Sequence, residues 1–152
     1  TDAQTLYAAA RLVGYGAEPH TISEQLQTMP LSKITALSQV LDTLEISSCG
    51  RVASVMVPAG VASTDVEDTE GFIDYPRNIA GVEVAIMYKP SSEKETVKIS
   101  FRSRHLNVSD LARSLGGGGH ARAAGCTLKG SIHEVKPRVL TRVLEALREA
   151  GL

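Results

Sequence analysis

Gly116-Gly117-Gly118-Gly119-His120-Ala121-Arg122-Ala123-Ala124-Gly125 is the stretch on which the reading of this 152-residue chain turns. Inside a helix or strand each glycine costs about 0.5–1 kcal/mol relative to alanine, because it loses the most backbone freedom on folding. Four in a row are therefore expected in a loop that turns tightly and approaches something with no side chain in the way. Histidine and arginine follow at once, two groups able to hold a phosphate. Three small residues then lead into an apolar segment. The pattern predicts an anion-binding loop that ends a helix and feeds a strand.

Charge is distributed in keeping with such a loop. The chain as a whole carries a net charge of −1. From Lys98 to Lys129 six lysines and arginines stand against the single acid Asp110, a net +5, whereas Asp65 to Glu95 holds eight acids and three bases, a net −5. A basic segment inside a near-neutral chain points to a localised site for a polyanion and away from a long duplex-binding surface. The competing reading is a solvated face balanced by neighbouring acids.

Outward from the loop, the elements follow from periodicity. Asn107 with Asp110 three residues on resembles a capping arrangement, opening a helix with Val108, Leu111, Ala112 and Leu115. Before it, Val97, Ile99 and Phe101 alternate with Lys98, Ser100 and Arg102, a half-buried strand antiparallel to the one expected at 82–88, with Arg102 on its polar face. Beyond the glycines, Cys126-Thr127-Leu128 reads as a short strand. A final helix is expected over 133–150, with Pro137 in its first turn. Residues 51–57 are β-branched and end at Pro58, a further strand. Residues 59–68 are expected as a loop or an irregular turn, and Asp68 or Thr69 as the cap of a helix reaching Ile79, interrupted or kinked at Pro76.

The first part of the chain reads as three helices: one to about Val13, one from Pro19, and one from near Pro30 with Ile34, Leu37, Val40, Leu41 and Leu44 in a stripe. His20 is expected at the surface. The fold class that results is α/β, a mixed β-sheet flanked by helices and preceded by a helical connector, with the boundary at the Ser47-Ser48-Cys49-Gly50 turn signal.

Composition excludes little else. Apolar residues make up 43% and charged residues 22%, an ordinary globular profile. No apolar run approaches the roughly 20 residues needed to cross a bilayer, and no charged-then-apolar leader opens the sequence. Cys49 and Cys126 stand far apart without metal-ligand spacing and read as free thiols of a cytoplasmic protein. No set of metal ligands is evident: His105, His120 and His133 lack a nearby acid cluster, and Asp65, Glu67 and Asp68 read as a solvated run. The glycines match neither the P-loop pattern nor a dinucleotide fingerprint, and no nucleophile elbow is present. The residues alone describe a protein equipped to bind and not to cut.

At the glycine loop a resemblance becomes specific. Residues 117–125 resemble the GGGHxxAAG signature of the DHH-associated domain, the C-terminal half of the DHH-family phosphoesterases, which are relatives of RecJ-type exonucleases. Residues 68–79 with 81–85, and the basic strand Lys98-Ile99-Ser100-Phe101-Arg102-Ser103, resemble the bacterial oligoribonuclease (nanoRNase) and pAp-phosphatase subgroup. The resemblance implies that residues 1–48 are a helical connector to an N-terminal catalytic domain absent from this sequence, and that 49–152 form the substrate-binding domain. The family's metal-binding aspartates and Asp-His-His motif belong to that other domain, where manganese or a similar divalent cation would serve hydrolysis. The implied partners are short single-stranded RNA, pAp or a small dinucleotide, with a homodimer as a further possibility. The implied site comprises Gly117, Gly118 and Gly119 near a phosphate, His120 as a donor, and Arg102 as a bidentate phosphate ligand. Ser103, Arg104 and Arg122 are secondary candidates, and no residue is implied to be catalytic in this chain. Two other classes stay open: a non-catalytic nucleic-acid-binding module like that of the alanyl-tRNA synthetase relatives, and an oligomerisation domain.

Overall fold

A computed structural model of the chain describes residues 2–62, 69, 71–91 and 95–152. They fall into two compact units, Thr1–Leu31 and Ser32–Leu152. The first holds α1 (Ala3–Gly14) and α2 (Pro19–Gln27). Asp2 caps α1 by accepting from the Thr5 N–H at 2.8 Å, and a proline opens α2, where its missing N–H costs nothing. Neither helix has a buried residue. His20 is exposed, as expected of a residue at a helix start.

The second unit is built on a six-stranded sheet of order β1-β2-β3-β4-β6-β5. Its strands are β1 (Glu45–Ile46), β2 (Val52–Met56), β3 (Val84–Ser91), β4 (Thr96–Ser103), β5 (Gly118–His120) and β6 (Ala123–Lys129). Only β2 and β3 run parallel, and all other pairs are antiparallel, so the sheet is mixed. The β3–β4 hairpin is where alternation places it, with Ala85 opposite Arg102 and Lys89 opposite Lys98. Helices pack on both sides of the sheet, which confirms the α/β class with a helical segment ahead of it.

Period two sorts the strand residues between two cores. Val84, Ile86 and Tyr88 of β3 and Val97, Ile99 and Phe101 of β4 meet α6 (Val108–Ser114) and α7 (Ile132–Glu149). On the opposite side Ala85 and Met87 of β3 and Val55 of β2 meet α3 (Leu31–Leu41) through Ala36, Leu37 and Val40. That packing makes α3 part of the sheet unit, although it falls within the 1–48 stretch read as connector. Phe72 and Ile73 complete the second core.

Several elements depart from the sequence expectation. The 59–68 stretch begins with one helical turn, α4 (Ala59–Ala62), and its remainder, 63–68, lies outside the described residues, as does the Asp68 cap. The helix expected to reach Ile79 shrinks to the single turn α5 (Asp74–Arg77), because Phe72 and Ile73 are drawn into the core ahead of it. α7 begins at Ile132, where Glu134 reaches back to the Ser131 N–H at 2.9 Å, and Pro137 therefore sits inside the helix instead of in its first turn. The strand expected at 126–128 is longer, and the glycine run supplies its partner β5. The glycines thus form a hairpin edge in place of an open loop.

Candidate functional site

Antiparallel register carries the site across three strands. Residues paired in such a ladder point to the same side of the sheet. Arg102 on β4 pairs with Ala123 on β6, which pairs with His120 on β5, so the three form one row. The next row is Ser100, Gly125 and Gly118, and the one after it is Lys98 and Thr127. All lie opposite the α6–α7 core. Here the sheet carries a groove of about 590 Å³, lined by Lys98, Ser100 and Arg102, by Gly116 to Gly119, and by Ala123 to Thr127. Arg102 is half-buried, and among the described residues its one bond is a donation from Nη1 to the neighbouring Phe101 carbonyl at 3.2 Å. His120 is exposed.

The glycines have two different reasons to be there. A Cβ on Gly117 would strike the Gly125 carbonyl oxygen and stand 2.5 Å from Cys126 Cβ, and one on Gly119 would stand 2.5 Å from Ala124 Cα. Gly119 also has φ 142°. These two let β5 lie against β6, so close backbone packing overrides the strand penalty that glycine normally carries. Gly118, between them, would meet nothing within 4 Å. Its bareness does no work in packing and leaves the groove floor flat.

The hairpin is held from behind. Ser109, buried on α6, donates from Oγ to the Gly119 carbonyl at 2.8 Å, and the Gly117 N–H reaches the Ala112 carbonyl at 2.8 Å. Asn107 caps α6 by accepting from the Ser109 N–H at 3.1 Å. Sequence reading found the cap but not the role of Ser109, since nothing local marks a hydroxyl that bonds ten residues away.

Three of the secondary candidates are engaged elsewhere. Ser103 is buried on the opposite side from Arg102 and donates to the Leu106 carbonyl at 2.6 Å, so it does not join the groove. Arg122, at the hairpin turn, donates to the His105 carbonyl and, at 3.0 Å, to the Leu106 carbonyl. Arg104 donates from Nε to the Val82 carbonyl at 2.9 Å and from Nη2 to the Arg77 carbonyl at 3.2 Å. Ser103 and Arg122 satisfy carbonyls of the 103–107 turn, and Arg104 ties that turn to the backbone at Arg77 and Val82.

A buried carboxylate completes that bracing. Glu83 is 3% exposed; its Oε1 accepts from the Leu106 N–H at 2.8 Å and its Oε2 lies 2.9 Å from His105 Nδ1. Burial alone would raise its pKa, but the bonds from the His105 ring and from the Leu106 and His105 N–H groups outweigh it and hold the carboxyl below its ordinary value. In sequence Glu83 stands as one acid of an acidic stretch, 22 residues from its partner. Cys126 faces the core, where burial pushes its thiol up to about 11, and both cysteines are free.

Among the described residues no group of three or more His, Cys, Asp or Glu side chains is placed to hold a metal ion. No helix formed by the described residues is long and apolar enough to cross a membrane.

What the groove offers is an accessible guanidinium and an imidazole in one row beside a floor of small residues, an arrangement suited to a phosphate with a flat group lying next to it. Comparison with known proteins agrees with the architecture. The bifunctional oligoribonuclease and PAP phosphatase NrnA of Thermus thermophilus is 35% identical over 99% of this chain, a match that takes in 46% of that protein. The chain therefore spans about half the length of this relative. An exopolyphosphatase-related protein from Bacteroides fragilis shares the fold with a TM-score of 0.81 at 21% identity, covering 98% of this chain and 44% of its own. A pGpG-specific phosphodiesterase from Vibrio cholerae shares it more distantly, with a TM-score of 0.51 at 14% identity over 76% of this chain and 38% of its own. The DHHA1 domain model matches residues 52–150, which hold the groove and every strand except β1, and the chain belongs to that domain family.

Proposed function

We propose that the groove binds a phosphate of a short oligoribonucleotide, pAp or a small dinucleotide, on behalf of a phosphoesterase whose cutting machinery lies outside these residues. The observation that carries this reading is the row formed by Arg102, Ala123 and His120 beside the small-residue row Ser100, Gly125 and Gly118. Arg102 supplies planar, paired donors that match phosphate oxygens, and His120 supplies a further ring N–H. Gly118, where an added methyl would meet nothing within 4 Å, lets a base or sugar approach the sheet closely. Support also comes from the relative's name, which joins oligoribonuclease and PAP phosphatase activities in a protein about twice as long. Manganese or a similar cation, carried by a DHH domain, would supply the Lewis acid for cleavage.

The test is binding and turnover on the chain itself. Isothermal titration with pAp and with a diribonucleotide should show binding, while neither is hydrolysed, with or without added manganese. Arg102→Ala should weaken binding about 10- to 100-fold, the range of a lost charge-assisted hydrogen bond, and His120→Ala should weaken it by less. Wild-type affinity in both variants would overturn the assignment.

A further inference from the structure

The groove does not end with the row that holds Arg102. Four residues back along β4, about 13 Å away at strand rise, Lys98 lines the same groove. In register, Lys98 stands directly opposite Lys89 of β3 on one side and Thr127 of β6 on the other. Lys129, two residues beyond Thr127, lies on the same side of the sheet by alternation. Like charges placed directly opposite each other on an antiparallel pair are destabilising.

Several other cations of the sheet unit have acids to answer them. Lys136 pairs with Glu45, Arg113 with Asp110, and Arg142 with Glu145 and Glu149. Among the described residues, Lys89, Lys98 and Lys129 have no such ion pair. An uncompensated cross-strand lysine pair at the end of a groove becomes favourable once an anion sits between the two ammonium groups.

We propose that Lys89 and Lys98, with Lys129 nearby, form a second phosphate position, so that the groove takes nucleotide ligands carrying at least two phosphates spread along β4. This deepens the reading above and rests on it: Arg102 and His120 hold one phosphate, the Ser100–Gly125–Gly118 floor accepts what lies between, and the lysines hold another. A single phosphate cannot serve both ends. The groove then selects for chain length, favouring an oligoribonucleotide over a mononucleotide without reading its bases.

The experiment compares AMP, pAp and a 5′-phosphorylated triribonucleotide as ligands of the 152-residue chain, by titration at several salt concentrations. Wild-type affinity should rise at least tenfold from AMP to the triribonucleotide. The double variant Lys89→Gln/Lys98→Gln should bring that ratio close to one. It should also flatten the dependence of log affinity on log salt for the trinucleotide by about 0.7, the share of one phosphate on a single strand. Lys98→Arg should keep the ratio, which separates charge from side-chain identity, and circular dichroism should show the variants folded. A double variant that keeps the wild-type ratio overturns the proposal. If Arg102→Ala weakens every ligand while the lysine variants keep the length dependence, the second position alone fails. If the wild-type chain binds none of the three, both readings fall.

Discussion

Strand β4 presents opposite chemistry on its two sides. Val97, Ile99 and Phe101 lie in the α6–α7 core with at most 1% exposure, whereas Lys98, Ser100 and Arg102, each one residue away, line the groove. One strand over, β3 is buried on both sides as far as Tyr88, with Ala85 and Met87 packed toward α3. A single sheet thus changes from a two-sided core to a one-sided one between β3 and β4. Where both sides are packed, volume and apolarity decide the residues. Where one side is released from packing, cations and small residues accumulate, and stability does not explain them.

That contrast can be broken by mutation, and the largest effect should come from the packed side. Phe101→Ala removes a fully buried ring and should cost about 3–5 kcal/mol in urea denaturation. Arg102→Ala, its immediate neighbour, should stay within about 0.5 kcal/mol of wild type. Equal losses at the two positions would dissolve the distinction. Next comes Gly117→Ala, whose methyl would collide with the backbone of Gly125 and Cys126; a cost of about 1–3 kcal/mol is expected.

Glu83 sharpens the comparison at the strand ends. Its folded pKa is lowered, so its contribution is fully present above the ordinary glutamate value, about 4.3, and is lost as pH falls through the folded value. Denaturation midpoints of the wild type should therefore drop below about pH 4.5. Glu83→Gln should be less stable at pH 7 by about 1–3 kcal/mol and should lose part of that acid dependence. The smallest stability effect is expected from Gly118→Ala, within about 0.5 kcal/mol, since its methyl enters open groove. The same methyl should weaken pAp binding, and unchanged affinity would show that ligands do not approach the floor there.

Much of this was legible in the sequence because it is periodic. Alternation over 97–102 set the β3–β4 hairpin and the side of Arg102, and the Asn107 cap located α6. The same alternation also puts Ser103 on the buried side, although the motif grouped it with Arg102. The hairpin at Gly118–His120 was not legible, because the need for bare backbone at Gly117 and Gly119 arises from Ala124, Gly125 and Cys126 lying against them. The Glu83 and Arg104 bonds were hidden for a similar reason: each joins residues 22 or more apart, which no local pattern encodes. The sequence marks α1 and α2 as helices, yet their apolar residues Leu6, Tyr7, Leu12 and Leu26 are exposed. Periodicity shows that a face is apolar and says nothing about what covers it.

The β3 residue Tyr88 has an optical consequence. The chain has four tyrosines and no tryptophan, so its near-ultraviolet signal belongs to tyrosine. Tyr88 is 1% exposed, its hydroxyl has no hydrogen-bond partner among the described residues, and burial pushes its pKa far upward. A raised pKa stabilises the fold below the ordinary phenol value of about 10, and that stability is lost as pH climbs above it. In an alkaline absorbance titration, one tyrosinate of the four should therefore appear only as the sheet opens. Its arrival marks global unfolding from within the native sequence, and Tyr88→Phe should delete that step from the trace.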